Sequence, residues 1–368
     1  MKLAMVVPGG LHPSGEVQVV PSWLALFEAL SRSHDVHAFA LRHLHTPQTY
    51  QLRGFTVHDL GRPSGLPGMT RRAQDRALAA AFEATGPFDL IHGFHADPAG
   101  QLAARAAHRL GVPSVVTCDS GEFVSLPAID YGSQRTSTGR QAVNEACALA
   151  TRVHVCTQFM SNLARARNIQ ATVIPLTSVT PAAVKARSPR LQDGYRLVQV
   201  ATLSRVKNQR LLLDAFRIVR ESVDARLDLI GDDMLGGALQ RHAARVGIAE
   251  HVTFHGFLPQ SRVHDILSAS DLYVQSSLHE AAGVAVLEAA AHGVPAVGTM
   301  AGYVADWAPV QALAIRDATP GSLAAAIVLL CVDTGRRQSI AGLARSFSLA
   351  HDVEWSAAQF DRLYRSLV

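Results

Sequence analysis

The sequence predicts an α/β protein of two domains, each a doubly wound parallel sheet with helices on both faces. Three observations predict it. Apolar, β-rich runs of about six residues alternate with helical patterns along most of the chain, and strands joined by crossover helices form parallel sheets. The 368 residues exceed what one ordinary core supports. The alternation lapses once, from Thr177 to Gly194, where TSVTPAAVKARSPRLQDG is rich in proline, alanine, serine and charge and has no apolar period.

In the first half, LAMVV is followed by a helix around Trp23, Phe27 and Leu30, whose spacing puts them on one face. The strands VHAFAL, FTVHDL and DLIHGF come next, then the helix PAGQLAARAAHRLG and the strand SVVTCD. A helix from Ser137 to Ala150, RVHVC, a helix from Phe159 to Arg167 and TVIPL complete the series. After the lapse come RLVQVATL, the helix NQRLLLDAFRIVRES, RLDLIGD, a helix ending near Gly247, HVTFHGF, a helix around Ile266 and Leu267, DLYVQSS, PAVGT and ALAIRD. Helical patterns over Pro320 to Val332, Arg336 to Leu349 and Val353 to Leu367 close the chain. In the last, Trp355, Phe360 and Tyr364 form a packing stripe. The expected boundaries are 1–180, a linker at 181–194, 195–350, and a closing helix at 351–368. A cleft between the two domains is the expected ligand site.

Hydrophobic residues at 48% of the chain indicate a packed globular protein. A formal charge of +4 without a dense basic run argues against nucleic acid as a partner. Arg71, Arg72 and Arg76 form the one local basic cluster. It reads as a solvated helix face, with peripheral contact to a membrane surface or to an anionic acceptor as the alternative. The cysteines Cys118, Cys147, Cys156 and Cys331 show neither disulfide spacing nor histidines at metal-ligand spacing, so no metal is expected. The apolar run of MKLAMVVPGG is too short for a signal peptide, and no run approaches the ~18 residues of a membrane span. A cytoplasmic location is expected.

The chemistry concentrates in HEAAGVAVLEAAAHGVPAVGT. It reads as a strand from Asp271 to Ser277, a loop carrying Glu280, Gly283, and a helix that contains Glu288 and stops at Gly293. A helix N-terminus offers unpaired N–H groups and the positive end of the backbone dipole, and glycine lets a phosphate approach the main chain. Two carboxylates beside such a site can grip the hydroxyls of whatever carries the phosphate. A nucleotide sugar has all these parts. Taken alone, a helical glutamate is more often a solvated surface residue.

Two further features strengthen the reading. Arg205 and Lys207 follow the strand VATLS in a chain whose other lysines are Lys2 and Lys185, and two cations there can neutralise a leaving diphosphate. The turn PGGLHPSG, with Gly9, Gly10 and Gly15, follows the first strand and suits close backbone approach. It is not G-x-G-x-x-G, and no acidic residue follows at ribose spacing, which argues against a dinucleotide-dependent dehydrogenase. His92, His95, Asp97, Asp119 and Glu122 stand at strand ends of the first half and are expected to face one crevice. Asp232 and Asp233 read as a turn and helix cap rather than a metal pair, and no nucleophile elbow occurs.

The succession VATLSRVKNQRLLLDAF, LDLIGDD, VTFHGFLP and DLYVQSSLHEAAGVAVLEAAAHGVPAVGT resembles the donor-binding half of retaining glycosyltransferases of family 4, whose fold is GT-B. The likeness is strong over 196–307 and looser over the N-terminal half. It implies two Rossmann-like domains, acceptor-binding then donor-binding, facing a cleft, with the C-terminal helix crossing back to the first. It also implies that Glu280 holds sugar hydroxyls, Glu288 the ribose, and the Gly283 and Val284 amides the diphosphate, with Ala282 and Leu287 of the same stretch among the substrate-binding residues. Lys207, helped by Arg205, meets the phosphates; Phe257 and Leu258 lie along the nucleobase; Gly10, flanked by Gly9 and Gly15, caps the diphosphate.

The implied reaction moves a hexosyl unit from a UDP- or GDP-linked sugar to a small-molecule, glycan or lipid-linked acceptor, retaining configuration, with no cofactor and no metal. Thr202 replaces the family's arginine before the lysine, Ala281 and Ala282 follow the first glutamate and leave more space near the sugar, and Asp119 stands where many relatives have a histidine. Asp119 and His95 are both candidates for that catalytic role. A GT-B nucleotide-sugar epimerase and a degenerate, non-catalytic sugar-nucleotide binder are the alternatives. The loops Pro63 to Thr70 and Ser125 to Thr138 are expected to choose the acceptor.

Overall fold

The run LAMVV forms β1 (Lys2–Val7), and Leu3 to Val7 are wholly inaccessible to solvent, as expected of a strand covered on both faces. The computed structural model describes residues 1–62, 67–185 and 194–368. They divide into two units, Met1–Ser178 with Val353–Val368, and Val179–Asp352. Around β1 the first unit arranges α1 (Pro21–Ser31), β2 (Asp35–Ala40), β3 (Gln48–Leu52), β4 (Phe55–Asp59), α2 (Pro67–Thr85), β5 (Leu90–Phe94), α3 (Gln101–Leu110), β6 (Ser114–Thr117), α4 (Ser137–Leu149), β7 (Arg152–Val155), α5 (Gln158–Arg165) and β8 (Ala171–Val173).

Its sheet runs β3-β4-β2-β1-β5-β6-β7-β8. All neighbours are parallel except β3 and β4, which pair as a hairpin from Gln48 opposite Asp59 to Leu52 opposite Phe55. This antiparallel edge departs from the purely parallel expectation. β3 is polar and mostly exposed, so it carries no apolar signal; its mark is the two-residue turn Arg53-Gly54, both at positive φ (46° and 91°), which suits the twist of a hairpin. On one face Phe39, Leu78, Phe82, Ile91 and Leu102 join a single cluster. Phe27 of α1 meets Phe55 and Phe94 edge-on.

The second unit comprises β9 (Tyr195–Val200), α6 (Gln209–Arg220), β10 (Ala225–Ile230), α7 (Ala238–Arg245), β11 (Val252–Gly256), α8 (Gln260–Ser268), β12 (Leu272–Gln275), α9 (Val284–Ala291), β13 (Ala296–Thr299), α10 (Gly302–Trp307), β14 (Ala312–Ile315), α11 (Pro320–Val332) and α12 (Thr334–Ala350). Its sheet is wholly parallel, in the order β11-β10-β9-β12-β13-β14. The strand order reverses between β9 and β12, and in an open α/β sheet the loops leaving the carboxyl ends at such a point part to opposite sides and leave a crevice. The same reversal falls between β1 and β5 in the first sheet.

The closing helix α13 (Val353–Arg365) belongs to the first unit and packs on α1. Phe360 and Tyr364, four apart, are fully buried there, while Trp355 is half-buried. Of the expected linker, residues 186–193 lie outside the described residues, as do 63–66 of the first expected acceptor loop. The short helix α10 has no long apolar period and was not legible.

Candidate active site

In the second unit the loops after β9 and β12 flank the reversal point, and backbone groups stitch them together. The Leu278 N–H donates to the Val206 carbonyl at 2.8 Å, and Ser276 Oγ donates to the Lys207 carbonyl at 2.8 Å. That frame aims two side chains at each other. Lys207 Nζ lies 2.7 Å from Glu280 Oε1 and 2.8 Å from Oε2, and Ser277 Oγ adds a bond of 2.6 Å to Oε1. Arg205 is exposed on the same turn.

Past Glu280 the chain enters α9 through Gly283, whose φ of +77° is the left-handed conformation glycine favours. A Cβ there would stand 2.8 Å from Gln275 Oε1, which would have to shift to admit it. Gly283, Val284 and Ala285 are only half-buried, so the first turn of α9 is open to a ligand. Glu288, one turn further along, is buried and accepts a bond of 2.5 Å from Gln260 Nε2 at the start of α8. Tyr273 reports where both acids lie: burial first, then the charges of Glu280 and Glu288, push its phenol well above the ordinary range.

The other expected contacts of this unit divide. Phe257 is exposed and Leu258 half-buried on the turn between β11 and α8, close in sequence to Gln260. Leu287 is fully buried, so its side chain belongs to the core and only its backbone is left for a ligand. Ala281 and Ala282 are buried too, and the Ala282 carbonyl accepts the Tyr303 N–H at 2.8 Å; the alanines pack inward rather than open the loop. Asp233 caps the turn before α7 by accepting the Leu235 and Gly237 N–H groups at 2.7 and 2.8 Å. Among the described residues no three His, Cys, Asp or Glu side chains are grouped to hold a metal ion. Tyr273, Gln260, Ser276 and Ser277 were not singled out from the sequence. The two serines and Tyr273 lay within the strand reading DLYVQSS, which hides side-chain roles at the strand's end.

In the first unit the turn after β1 places Gly10 at φ +80°, its carbonyl accepting the Val20 N–H at 2.9 Å and its N–H facing His43 Nδ1 at 3.4 Å. Gly9 packs against His43. Gly15 lies apart from them in a second turn, its carbonyl bound by Arg53 Nη2 at 3.1 Å. Across the reversal from β1, His95 leaves β5 and, one strand further on, Asp119 leaves β6; His95 Nε2 is 3.4 Å from Asp119 Oδ1, and the Trp23 indole N–H donates to Asp119 Oδ2 at 3.0 Å.

The expected common crevice is not shared by all five strand-end residues. His92 is wholly buried, bonded through Nδ1 to the Tyr364 hydroxyl at 2.7 Å and through Nε2 to Thr117 Oγ1 at 2.6 Å; its position inside β5 turns it to the core. Asp97 pairs with Arg71, and Glu122 is buried under the backbone of the neighbouring loops. Arg72 and Arg76 are exposed on α2. None of the four cysteines is in a disulfide; three are buried and Cys147 is half-buried. No described helix is long and apolar enough to cross a membrane.

Comparison with known proteins bears on the family and the fold. The family model described as "Glycosyl transferases group 1" matches residues 183–345, and the "Glycosyl transferase 4-like domain" model matches 19–177. The D-inositol 3-phosphate glycosyltransferase of Stackebrandtia nassauensis is 29% identical over 77% of this chain and 69% of its own. The 2-deoxystreptamine glucosyltransferase of Streptomyces kanamyceticus is 26% identical over 65% of each chain. Other curated relatives are spanned over 32% and 60% of their lengths. Among solved structures, sucrose-phosphate synthase from Thermosynechococcus elongatus aligns over 100% of this chain and 99% of its own with a TM-score of 0.81 at 20% identity. Anabaena Alr3699/HepE in complex with UDP and glucose aligns over 100% of both chains with a TM-score of 0.79 at 19% identity.

Proposed function

The chain belongs to the group 1 glycosyltransferases and has their GT-B architecture of two parallel-sheet α/β domains; from that premise we propose that it is a retaining, metal-independent transferase that moves a hexosyl unit from a nucleoside-diphosphate sugar to a hydroxyl acceptor. The observation that carries the reading is the fork of Lys207 Nζ onto both oxygens of Glu280, beside the open first turn of α9. A solved neighbour in complex with UDP and glucose favours a UDP-linked donor over a GDP-linked one.

In this reading the diphosphate lies over the amides at the start of α9, where the N–H groups and the helix dipole favour its charge. Lys207 and Arg205 add positive charge that grows in value as the phosphate departs, doing what a metal does in other transferases. Glu280, held by Lys207 and Ser277, accepts bonds from sugar hydroxyls, and Glu288, held by Gln260, accepts those of the ribose. The bond from the anomeric carbon to phosphate breaks and the bond to the acceptor oxygen forms on the same face. The acceptor proton passes to the departing phosphate oxygen, so no enzymatic nucleophile is required.

The test is to incubate the protein with UDP- and GDP-linked glucose, mannose and N-acetylglucosamine in excess chelator and to follow the released sugar by NMR before it mutarotates. Release of the α-anomer from an α-linked donor supports the proposal. Release of the β-anomer, or release only after a divalent metal is added, overturns the retaining or the metal-independent part.

A further inference from the structure

We propose that Trp23 and Glu122 are positioning residues that hold Asp119 against His95, so that His95 presents its Nδ1 lone pair to a hydroxyl of the sugar substrate; this rests on the glycosyltransferase reading above. His95 is the first residue after β5 and Asp119 the second after β6, on adjacent parallel strands of which β5 borders the reversal point of the first sheet. His95 adopts φ 61°, ψ 117°, a conformation non-glycine residues rarely take, and such outliers persist where surrounding structure over-determines them.

The surroundings here supply such constraints. Glu122, itself buried, accepts the Ala96 N–H through Oε1 at 3.3 Å and the Ser120 N–H through Oε2 at 2.8 Å, which are the residues immediately after His95 and Asp119. One carboxylate therefore fixes the backbone of both loops. The indole of Trp23 meets the His95 ring edge-on at 5.0 Å while its N–H takes Asp119 Oδ2. Asp119 Oδ1 is left buried and without a hydrogen-bond partner, with His95 Nε2 at 3.4 Å, a separation of the kind that tightens when substrate binds.

The consequence is a fixed tautomer. A carboxylate can only accept, so the neutral imidazole puts its proton on Nε2 and its lone pair on Nδ1. His92 and His154 of the same sheet spend both ring nitrogens on protein partners, whereas among the described residues the His95 ring has one side-chain polar contact within 4 Å, Asp119. The side chain of His95 is 31% exposed against 9% for Asp119, so the buried set ends in one accessible imidazole. Such a nitrogen accepts an O–H, and orienting a sugar hydroxyl is what it can contribute to transfer.

Substitution of Asp119 separates this from mere packing. In Asp119→Asn the Trp23 N–H keeps the amide oxygen, the amide NH2 is turned to His95 Nε2, and the tautomer inverts, as carboxylate-to-amide changes do in other oriented histidines. Adding Trp23→Phe frees the amide to rotate and restores the original tautomer. Long-range 1H–15N correlation on histidine-labelled full-length protein, at a pH where the imidazoles are neutral, reads this directly. Expected are Nε2–H in the wild type, Nδ1–H in Asp119→Asn, and Nε2–H again in the double variant. Turnover of the donor identified with the UDP- and GDP-sugar panel should fall roughly 10- to 100-fold in the single variant and recover in part in the double. An unchanged tautomer in Asp119→Asn, or a double variant no better than the single, overturns the inference. Failure of the transferase reading looks different: the wild type then turns over no nucleotide sugar, and the tautomer measurement still decides whether Trp23 and Asp119 orient His95.

Discussion

Lys207 Nζ bridges both carboxylate oxygens of Glu280 at 2.7 and 2.8 Å, with the two side chains only 25% and 11% exposed. An ion pair this sheltered loses much of its Coulomb gain to desolvation, so its value lies in geometry: it fixes a cation and a carboxylate just before the first turn of α9. Lys207→Ala is expected to lower kcat by about 10²–10³-fold, the cost of removing one preorganised charge at a developing anion, with an unchanged far-UV circular dichroism spectrum. Glu280→Gln should lose turnover on the same scale. Steady-state rates near wild type in both variants would sink the assignment.

The same pair should be visible in stability. Removing one member leaves the other half-buried and without its counter-charge, so the single changes Lys207→Ala and Glu280→Ala together cost more than the double variant, with a coupling of about 0.5–3 kcal/mol. Urea unfolding of the four proteins measures it.

Glu288 is expected to act on donor affinity rather than on the chemical step. It is held by Gln260, and under the proposed function it binds the ribose in both ground and transition states. Glu288→Gln should raise the donor KM by about tenfold, with kcat changed far less, the pattern of uniform binding. Initial rates over a range of donor concentration separate the two parameters.

In the first unit the Tyr364 hydroxyl donates to His92 Nδ1, His92 Nε2–H to Thr117 Oγ1, Thr117 O–H to His154 Nδ1, and His154 Nε2–H to the Ile174 carbonyl. The chain of bonds ties α13 to the strands and satisfies every buried nitrogen in it. Tyr364→Phe deletes the first donor and strands His92 Nδ1, at a cost of about 1–3 kcal/mol. Phe360→Leu would remove bulk at the same interface without an orphaned polar atom, so comparing the two variants by denaturant midpoint isolates the hydrogen bond.

Several histidines make the fold acid-sensitive. Burial, joined by neighbouring histidines at His58 and His264, holds His58, His154 and His264 at about 4, below the 6.5 of an exposed imidazole. Between those values the unfolded chain binds protons that the folded one does not, so stability is full above pH 6.5 and falls as the pH drops toward 4. A thermal midpoint that stays level across that interval would contradict this.

Much of the architecture was legible because it rests on long apolar patterns. β1, α6 and α11 each bury a continuous or periodic apolar set, and the helix pattern Pro320 to Val332 coincides with α11. β3 was not legible because its residues are polar and its pairing depends on a positive-φ turn at Arg53-Gly54. In the site, Glu280, Gly283, Glu288 and Lys207 stood out through residue type and spacing. Gln260 and Trp23 did not, because each acts across more than ten residues of sequence on a partner that only the sheet topology brings near. His92 shows the converse: the same strand-end position in sequence reads as a candidate ligand contact, and the pleat turns it inward.

Calorimetric titration of UDP and GDP into the wild-type protein and into Lys207→Ala, in excess chelator, tests the central claim most directly. The account predicts that one nucleoside diphosphate binds the wild type without metal and that Lys207→Ala weakens it by about tenfold or more, as expected for loss of a charge-assisted phosphate contact. Equal binding by both proteins, or none by either, would contradict it.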